Sequence, residues 1–386
     1  MRHTVTGIDI GSSSIKVMVC EFSELQQTPK VIGTGIAQSR GVRQGYIVNV
    51  EEAADALTQA ITLAQTESGV PITHAYVSLN GVGLQEIICT AELLLSKEGR
   101  VITDDDIQKV ISLARRNAQE QLLNRKIVHE IPIEFTVANT KMFNSPVGMK
   151  SKSISIQLLI VNIIEQHLSN LVETCESANI EVVDVMAGPL AASLVTVSKA
   201  QKIAGAALVL LGSETTTVAV FEDGIPKGLK VLPFGGSQIT NELALSLKIP
   251  IEDADRIKKN YATQLSFPKK KVTDAVQKKE KEMLKHIYAY LKSLPRNGLL
   301  PAGVYMSGGG AALQHLTDDA KSLLRLPVSI PHLHHSTSRS HQKDGIFSTA
   351  HGMCLFGLQQ EQEKSPRLSV KGASKNFFRW LSQFLP

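Results

Sequence analysis

Residues 4–22 read TVTGIDIGSSSIKVMVCEF. Apolar and β-branched residues flank a short Gly/Ser segment, which predicts two strands joined by a tight turn. The pattern returns in the second half of the chain as AALVLLGSETTTVAVFEDG, residues 206–224. An internal echo of one supersecondary unit implies two related α/β halves, each offering a hairpin turn to a shared cleft. Strands and helices alternate around these units. VEEAADALTQAITLAQTES (50–68) carries apolar residues at helical spacing, and HAYVSLNG (74–81) reads as a strand. DDDIQKVISLARRNAQEQLL (104–123) is an amphipathic helix whose leading acids suit its positive N-terminal end. VHEIPIEFTVA (128–138) and SISIQLLIVNI (153–163) read as strands, and EQHLSNLVETCESANI (165–180) as a helix.

Composition narrows the function classes. The 386 residues are ordinary in apolar and charged content, and no apolar run approaches the ~18 residues of a membrane-spanning helix. The opening residues lack an apolar signal-peptide core, because Asp9 interrupts it. Cys20, Cys89, Cys175 and Cys354 never form CxxC, which predicts free buried thiols in a reducing cytoplasm. The formal net charge is +5, and Lys364, Arg367, Lys371, Lys375 and Arg379 follow the last acid, Glu363. The rest of the chain therefore cancels. That argues against a nucleic-acid-binding body and for a basic tail with its own partner.

That tail ends SKNFFRWLSQFLP, residues 374–386, and holds the single tryptophan. Placed on a helix, Phe377, Phe378, Trp380, Leu381, Phe384 and Leu385 share one face. Lys375, Asn376, Arg379, Ser382 and Gln383 occupy the other, and Ser374 suits the N-cap. Aromatic and leucine side chains opposite cations are the pattern of a helix lying in a membrane interface, with Lys375 and Arg379 toward anionic lipid. A helix docked on its own body, or in a protein groove, would also fit. The preceding QQEQEKSPRLSVKGAS reads as a flexible linker. Residues 268–285, PKKKVTDAVQKKEKEMLK, place Val272, Val276, Met283 and Leu284 at helical spacing beneath a lysine-rich face. A solvated face is the plain reading there, and a surface for an acidic partner the other.

Tight turns of small residues let backbone N–H groups approach phosphate oxygens. In DIGSSSIK the candidates are Asp9 for a metal-bound water, Gly11, Ser12, Ser13 and Ser14 for the turn, and Lys16 for phosphate charge. Gly212, Ser213 and Thr215 form the corresponding turn, and Gly235–Gly236 and Ser307–Gly308–Gly309–Gly310 are further glycine-rich turns. The order of Gly7–Val17, VVDVMAGPLAASLV (182–195), LVLLGSETTTVAVF (208–221), MSGGGAAL (306–313) and GIFSTAHGMCLFG (345–357) resembles the actin/Hsp70/sugar-kinase superfamily. Its motifs there are phosphate-1, connect-1, phosphate-2, adenosine and connect-2. Within it, residues 40–81 and HEIPIEFTV (129–137) with NSPVGM (144–149) are similar to the bacterial cell division FtsA family. The resemblance runs from about Thr6 to Gln359.

It implies an actin-like two-domain α/β fold with an inserted FtsA-type subdomain and a C-terminal amphipathic helix. Subdomain 1A would comprise 1–81, 163–203 and 344–359, the inserted 1C 82–162, 2A 204–236 with 300–343, and 2B 237–299. A linker would occupy 360–373 and the membrane-targeting helix 374–386. The resemblance further implies ATP with Mg2+ in the cleft, with Asp255 and Lys258 at the ribose and base. The FtsZ C-terminal tail, other copies of this chain, later division proteins and anionic lipid would be partners, at the cytoplasmic face of the inner membrane at the division site. Three departures bear on catalysis. Leu210 stands where phosphate-2 normally has an aspartate, and Glu214 where a glycine approaches the phosphates. Gly188 stands where connect-1 of many relatives has a water-positioning acid or amide. Nucleotide binding with little or no hydrolysis is expected, since each lost positioning group costs ~100-fold or more. A PilM-type pilus-assembly scaffold is the nearer rival and a small-molecule kinase the further one. The histidines from His332 to His341 read as a surface loop.

Overall fold

The computed structural model describes residues 3–22, 29–259, 267–294, 299–313, 315–331 and 341–364. Strand β1 (His3–Ile10) reverses into antiparallel β2 (Ser14–Phe22), with Asp9 opposite Lys16. The turn closes where Gly11 N donates to Ser14 O at 3.2 Å. β3 (Lys30–Gln38) extends the meander, and a small hairpin of β4 (Val42–Arg43) and β5 (Tyr46–Ile47) leads into α1 (Val50–Ser68). Asn49 caps that helix by accepting from Glu52 N, and Gly69 ends it at φ 69°. The helix lies almost on β3, because a Cβ at Gly35 would stand 1.8 Å from Ala60 O. β6 (His74–Leu79) then joins β1 in parallel.

The inserted unit follows: β7 (Gln85–Leu94), β8 (Arg100–Val101), α2 (Asp104–Asn117), β9 (Arg125–Val137), β10 (Thr140–Met142), β11 (Lys150–Ser151) and β12 (Ser153–Ile164). Its sheet runs β10-β9-β12-β7 and has its own core, in which Ile107, Val110 and Ile111 of α2 meet Phe135, Ile154 and Ile156. Thr103 and Asp106 form a reciprocal capping box at the start of α2. Hydrogen bonds from Arg100 at 2.6 Å hold the Asp106 carboxyl well below the usual carboxylate range.

After α3 (Glu165–Ser177), β13 (Glu181–Ala187) completes a first sheet ordered β13-β6-β1-β2-β3. Helices α4 (Gly188–Thr196) and α5 (Lys199–Ala204) lead to the second meander, β14 (Ala206–Leu211), β15 (Thr216–Glu222) and β16 (Ile225–Leu232). Three helices come next: α6 (Gly236–Leu247), α7 (Ile251–Lys259) and α8 (Lys269–Ser293). The chain then returns through β17 (Gly303–Ser307), α9 (Leu316–Leu324), β18 (Val328–Ser329) and α10 (His341–Lys364). The second sheet is ordered β16-β15-β14-β17-β18, which repeats the first strand for strand: an antiparallel meander, then two parallel additions. The echo in sequence is thus an echo in topology.

Helices α4 and α10 pack against each other, and α10 also packs on β1 and β2 of the first sheet. Small residues permit the contact, since a Cβ at Gly352 would fall 2.0 Å from Ala191 O, and one at Gly7 2.1 Å from Ala350 O. All four cysteines are buried and free, as composition predicts. The apolar stripe Val272, Val276, Met283 and Leu284 of α8 is buried.

One boundary is corrected. The expected linker begins at 360, but α10 continues through Lys364. Gln, Glu and Lys are good helix formers, and the residue before Pro366 is the first that the proline disfavours in a helix. Residues 365–386, including the predicted amphipathic helix with Lys375, Phe377, Phe378, Arg379, Trp380, Leu381, Phe384 and Leu385, lie outside the described residues. So do 332–340 of the histidine-rich stretch, and His341 opens α10.

The inserted unit is also tied to the second half. Glu86 of β7 accepts hydrogen bonds from Leu229 N of β16 and, at 3.1 Å, from the Tyr290 hydroxyl of α8. Burial pushes the Glu86 carboxyl up in spite of these bonds and nearby Lys230. Lys227 Nζ donates to Ile133 O at 3.1 Å and stands 4.3 Å from the centre of the Phe143 ring.

Candidate functional site

Three parallel strands end side by side: β1 at Ile10, β6 at Leu79 and β13 at Ala187. Ligands of open α/β sheets bind at such carboxyl ends. Asp9, the acid predicted there, is buried. Its Oδ2 pairs with Lys16 Nζ at 3.1 Å, and its Oδ1 accepts from Ser78 Oγ at 3.0 Å and Asn80 Nδ2 at 2.9 Å. The first turn is held from outside, because Ser39 N donates to Ser13 O at 3.0 Å and Ser39 Oγ to Gly11 O at 2.6 Å. Ser12 Oγ accepts from Gly45 N at 2.8 Å. Ser14 begins β2 and pairs with Gln38.

The second turn copies the first. Gly212 N donates to Thr215 O at 2.9 Å, as Gly11 N does to Ser14 O. The start of α6 sits on this turn, with Gly236 N donating to Gly212 O at 3.0 Å and Ser237 N to Ser213 O at 2.8 Å. Gly235 must lack a side chain, as a Cβ would meet Ser213 O at 2.5 Å. The predicted pair on α7 arrives at the same place. Lys258 Nζ donates to Thr240 Oγ1 at 2.7 Å and Gly236 O at 3.2 Å, and pairs with Asp255 at 2.9 Å. Burial pushes the Asp255 carboxyl up, but hydrogen bonds from Lys259 and Lys258 outweigh it and hold the group low.

The third turn is brought in only in part. Ser307 is buried, and its hydroxyl bonds Gly345 O at 3.3 Å and Ser348 Oγ at 3.1 Å on α10. Gly308, at φ 89°, gives its N–H to Gly345 O. Gly310 packs on Leu211, whereas a Cβ at Gly309 would meet nothing within 4 Å. Gly309 is therefore the position of this turn open to a ligand.

Two residues that motif spacing misses complete the site. Asn80 follows β6, and a Cβ on Gly188 would fall 2.0 Å from Asn80 Oδ1. The volume left by the glycine in connect-1 is thus filled by an amide from another strand. His167 Nε2 holds the Asn80 carbonyl at 3.1 Å, and burial pushes that imidazole down. The second is Arg43. Glu214, expected to face phosphates unless it turns away, does turn away, accepting from Arg43 at 3.1 Å and from Gln44 N at 2.5 Å. The bridge spans the two halves of the molecule. A hollow of 320 Å³ beside it is lined by Arg43, Gln44, Glu214, Pro233, Ser237 and Gln238, and by none of the turn glycines. Leu210, at the position where the superfamily motif has an aspartate, pairs with Ser307 and packs against the apolar core. The remaining signal for these residues is three-dimensional, since Asp9 and Asn80 are 71 positions apart.

Two tight turns and two ammonium groups, Lys16 paired with Asp9 and Lys258 with Asp255, are elements from which an anion-binding surface can be built. Asp9 is a buried carboxylate beside it, suited to a water of a hard cation. No group of three or more His, Cys, Asp or Glu side chains capable of holding a metal directly occurs among the described residues.

Two sheets of one topology around a cleft of paired turns, with an α/β insertion in the first, define an actin-like protein. The fold is similar to the PilM–PilN type IV pilus biogenesis complex (TM-score 0.70, 17% identity, 92% of this chain and 98% of that one). It is also similar to MreB 5 of Spiroplasma citri bound to AMPPNP (TM-score 0.53, 10% identity, 94% and 98% covered). The family described as "SHS2 domain inserted in FTSA" matches residues 84–162, and "Cell division protein FtsA" matches 207–352. The FtsA of Pseudomonas aeruginosa is 24% identical over 393 aligned positions, covering 96% of this chain and 93% of its own. The chain belongs to the FtsA family of cell division proteins.

Proposed function

We propose that this protein binds ATP with Mg2+ between its two halves and tethers FtsZ filaments to the cytoplasmic face of the inner membrane at the division site, where it recruits later division proteins. Membership of the cell division family and the terminal sequence together carry the reading. No helix among the described residues is long and apolar enough to cross a membrane, so attachment would fall to residues 374–386. Six apolar side chains buried to half depth contribute roughly 5–9 kcal/mol gross, at ~1.5–3 kcal/mol for each full burial. Ordering the backbone offsets several of these at ~1–2 kcal/mol per residue. One helix is then marginal, and a filament of copies adds avidity.

ATP is supported by the doubled turns and by the AMPPNP in the related MreB 5. Gly309 leaves open space for a phosphate, the turns at Gly11 and Gly212 would offer backbone, Lys16 would supply charge, and Asp9 would hold a water of the cation. Lys258 and Asp255 bind one another and shape the α6 turn, so their contact to ribose and base would be through the carboxylate's remaining lone pairs. The likeness to PilM is one of fold.

The test mixes anionic vesicles, polymerised FtsZ and this protein with ATP, and measures co-sedimentation. Wild type should carry FtsZ to the vesicles, whereas Trp380→Glu, with a charge in the middle of the apolar face, should leave FtsZ in the supernatant while still binding ATP. Equal sedimentation by both would refute the tether.

A further inference from the structure

We propose that Asn80 is the positioning residue of the cation side of the cleft: it supplies from the loop after β6 the polar group absent at position 188, and aims Asp9 at a hydrated divalent cation. This rests on the nucleotide-binding reading above. The backbone brings three residues together at neighbouring strand ends, Asp9 in β1, Asn80 after β6 and Gly188 after β13. A Cβ at Gly188 would stand 2.0 Å from Asn80 Oδ1, 2.9 Å from Cγ and 3.1 Å from Nδ2. Asn80 therefore occupies the volume in which a residue-188 side chain would lie.

The orientation of the amide follows from chemistry. An ionised carboxylate only accepts hydrogen bonds, so Asn80 must turn its NH2 toward Asp9. Nδ2 lies 2.9 Å from Asp9 Oδ1 and 2.9 Å from Ser78 Oγ, and Ser78 Oγ is 3.0 Å from the same carboxylate oxygen. Both amide protons are thereby spent, and Asn80 Oδ1 accepts no hydrogen bond from a described residue. One oxygen of Asp9 is saturated by two neutral donors. The other carries only the Lys16 contact at 3.1 Å and keeps accepting capacity. A magnesium ion that keeps its waters needs such outer acceptors, and Asp9 Oδ2 and Asn80 Oδ1 are two of them.

The loop holding Asn80 is fixed in advance. Its carbonyl is bound by His167 Nε2 at 3.1 Å, Val82 N donates to Gln44 O at 3.2 Å, and Arg125 reaches Gly83 O. Gly81 takes φ 95° and touches Gly45 so closely that a Cβ on either would collide with the other's backbone. Such preorganisation is what an outer-shell group needs to act on a bound ion.

The test measures ATP affinity calorimetrically with Mg2+ and with EDTA for wild type, Asn80→Ala, Gly188→Ala and the relocated pair Asn80→Ala/Gly188→Asn. Loss of an outer-shell partner typically costs 10–100-fold in metal affinity. Asn80→Ala should therefore lose about tenfold of the Mg2+-dependent gain in affinity, with the EDTA affinity within about twofold of wild type. The relocated pair should recover most of the gain. Gly188→Ala, which retains Asn80 but pushes its amide aside, should resemble Asn80→Ala and serves as the test if that variant does not fold. An unchanged Mg2+ gain in either single variant overturns the proposal, as does a folded relocated pair without recovery. A wild type that binds no ATP at all overturns the nucleotide reading itself, and this inference with it.

Discussion

Glu214 links the two halves of the molecule, and removing its carboxylate should loosen them by a calculable amount. It accepts from Gln44 N at 2.5 Å and from Arg43 at 3.1 Å. The first is a backbone N–H bonded to an ionised acceptor, a class that contributes ~1.5–3 kcal/mol. The second reaches a guanidinium whose side chain is 77% exposed, so solvent screening limits it to ~0–1 kcal/mol. Glu214→Ala should thus shift the closed-to-open ratio by about 2 kcal/mol, or roughly 30-fold. Arg43→Ala should shift it less than about fivefold, and only that part should fade at high salt. Glu214→Gln keeps an acceptor for Gln44 N and should fall between them. Because the native cysteines are buried, exposed Asp55 and Asp274 can be replaced by cysteine and labelled selectively for single-molecule energy transfer between the halves. An unchanged distance distribution in Glu214→Ala, or an equal shift in Arg43→Ala, would show that the Glu214 carboxylate does not hold the halves together.

Glu86→Gln removes a carboxyl whose burial raises its pKa between the inserted unit and the second half. A group raised in the fold adds stability below its unfolded value of 4.5 and loses it as pH rises through the folded value. In urea unfolding, the variant should therefore gain on wild type as pH is raised from 4.5 to 7. Charge reversal at exposed Lys278 and Lys281 should weaken binding of the FtsZ C-terminal peptide at low salt and flatten its salt dependence. Lys278 already pairs with Glu242 at 2.8 Å, so Lys281→Glu alone should produce much of the loss, and unchanged affinity would remove α8 from that contact. Phosphate release at saturating ATP should stay below about one turnover per second, the low end of ordinary enzymes. A faster rate would show that neither Leu210 nor Glu214 disables the site.

The two hairpins, the amphipathic helices and the lysine-rich helix over its buried stripe were legible in sequence because each depends on neighbours a few residues away. Turn chemistry at Gly11–Ser14 and Gly212–Thr215 is local, and so is the 3.6-residue period of α1, α2 and α8. The reach of α10 past 360 was half legible: its Gln and Glu residues favour helix, but their polarity resembles that of a linker. What tertiary structure decided is the direction of side chains at the cleft. Ser307 belongs to a glycine-rich motif, yet parallel pairing with β14 sets it opposite Leu210 and puts its hydroxyl against α10. Glu214 occupies a phosphate-facing position by motif, yet the hairpin at Arg43 and Gln44 draws it across the molecule. Gly188 reads as a missing polar group until the sheet order sets Asn80 beside it. A motif specifies where backbone runs, whereas a hydrogen-bonding atom is used by whichever partner the packed sheets place within about 3 Å, and that partner can come from anywhere in the chain.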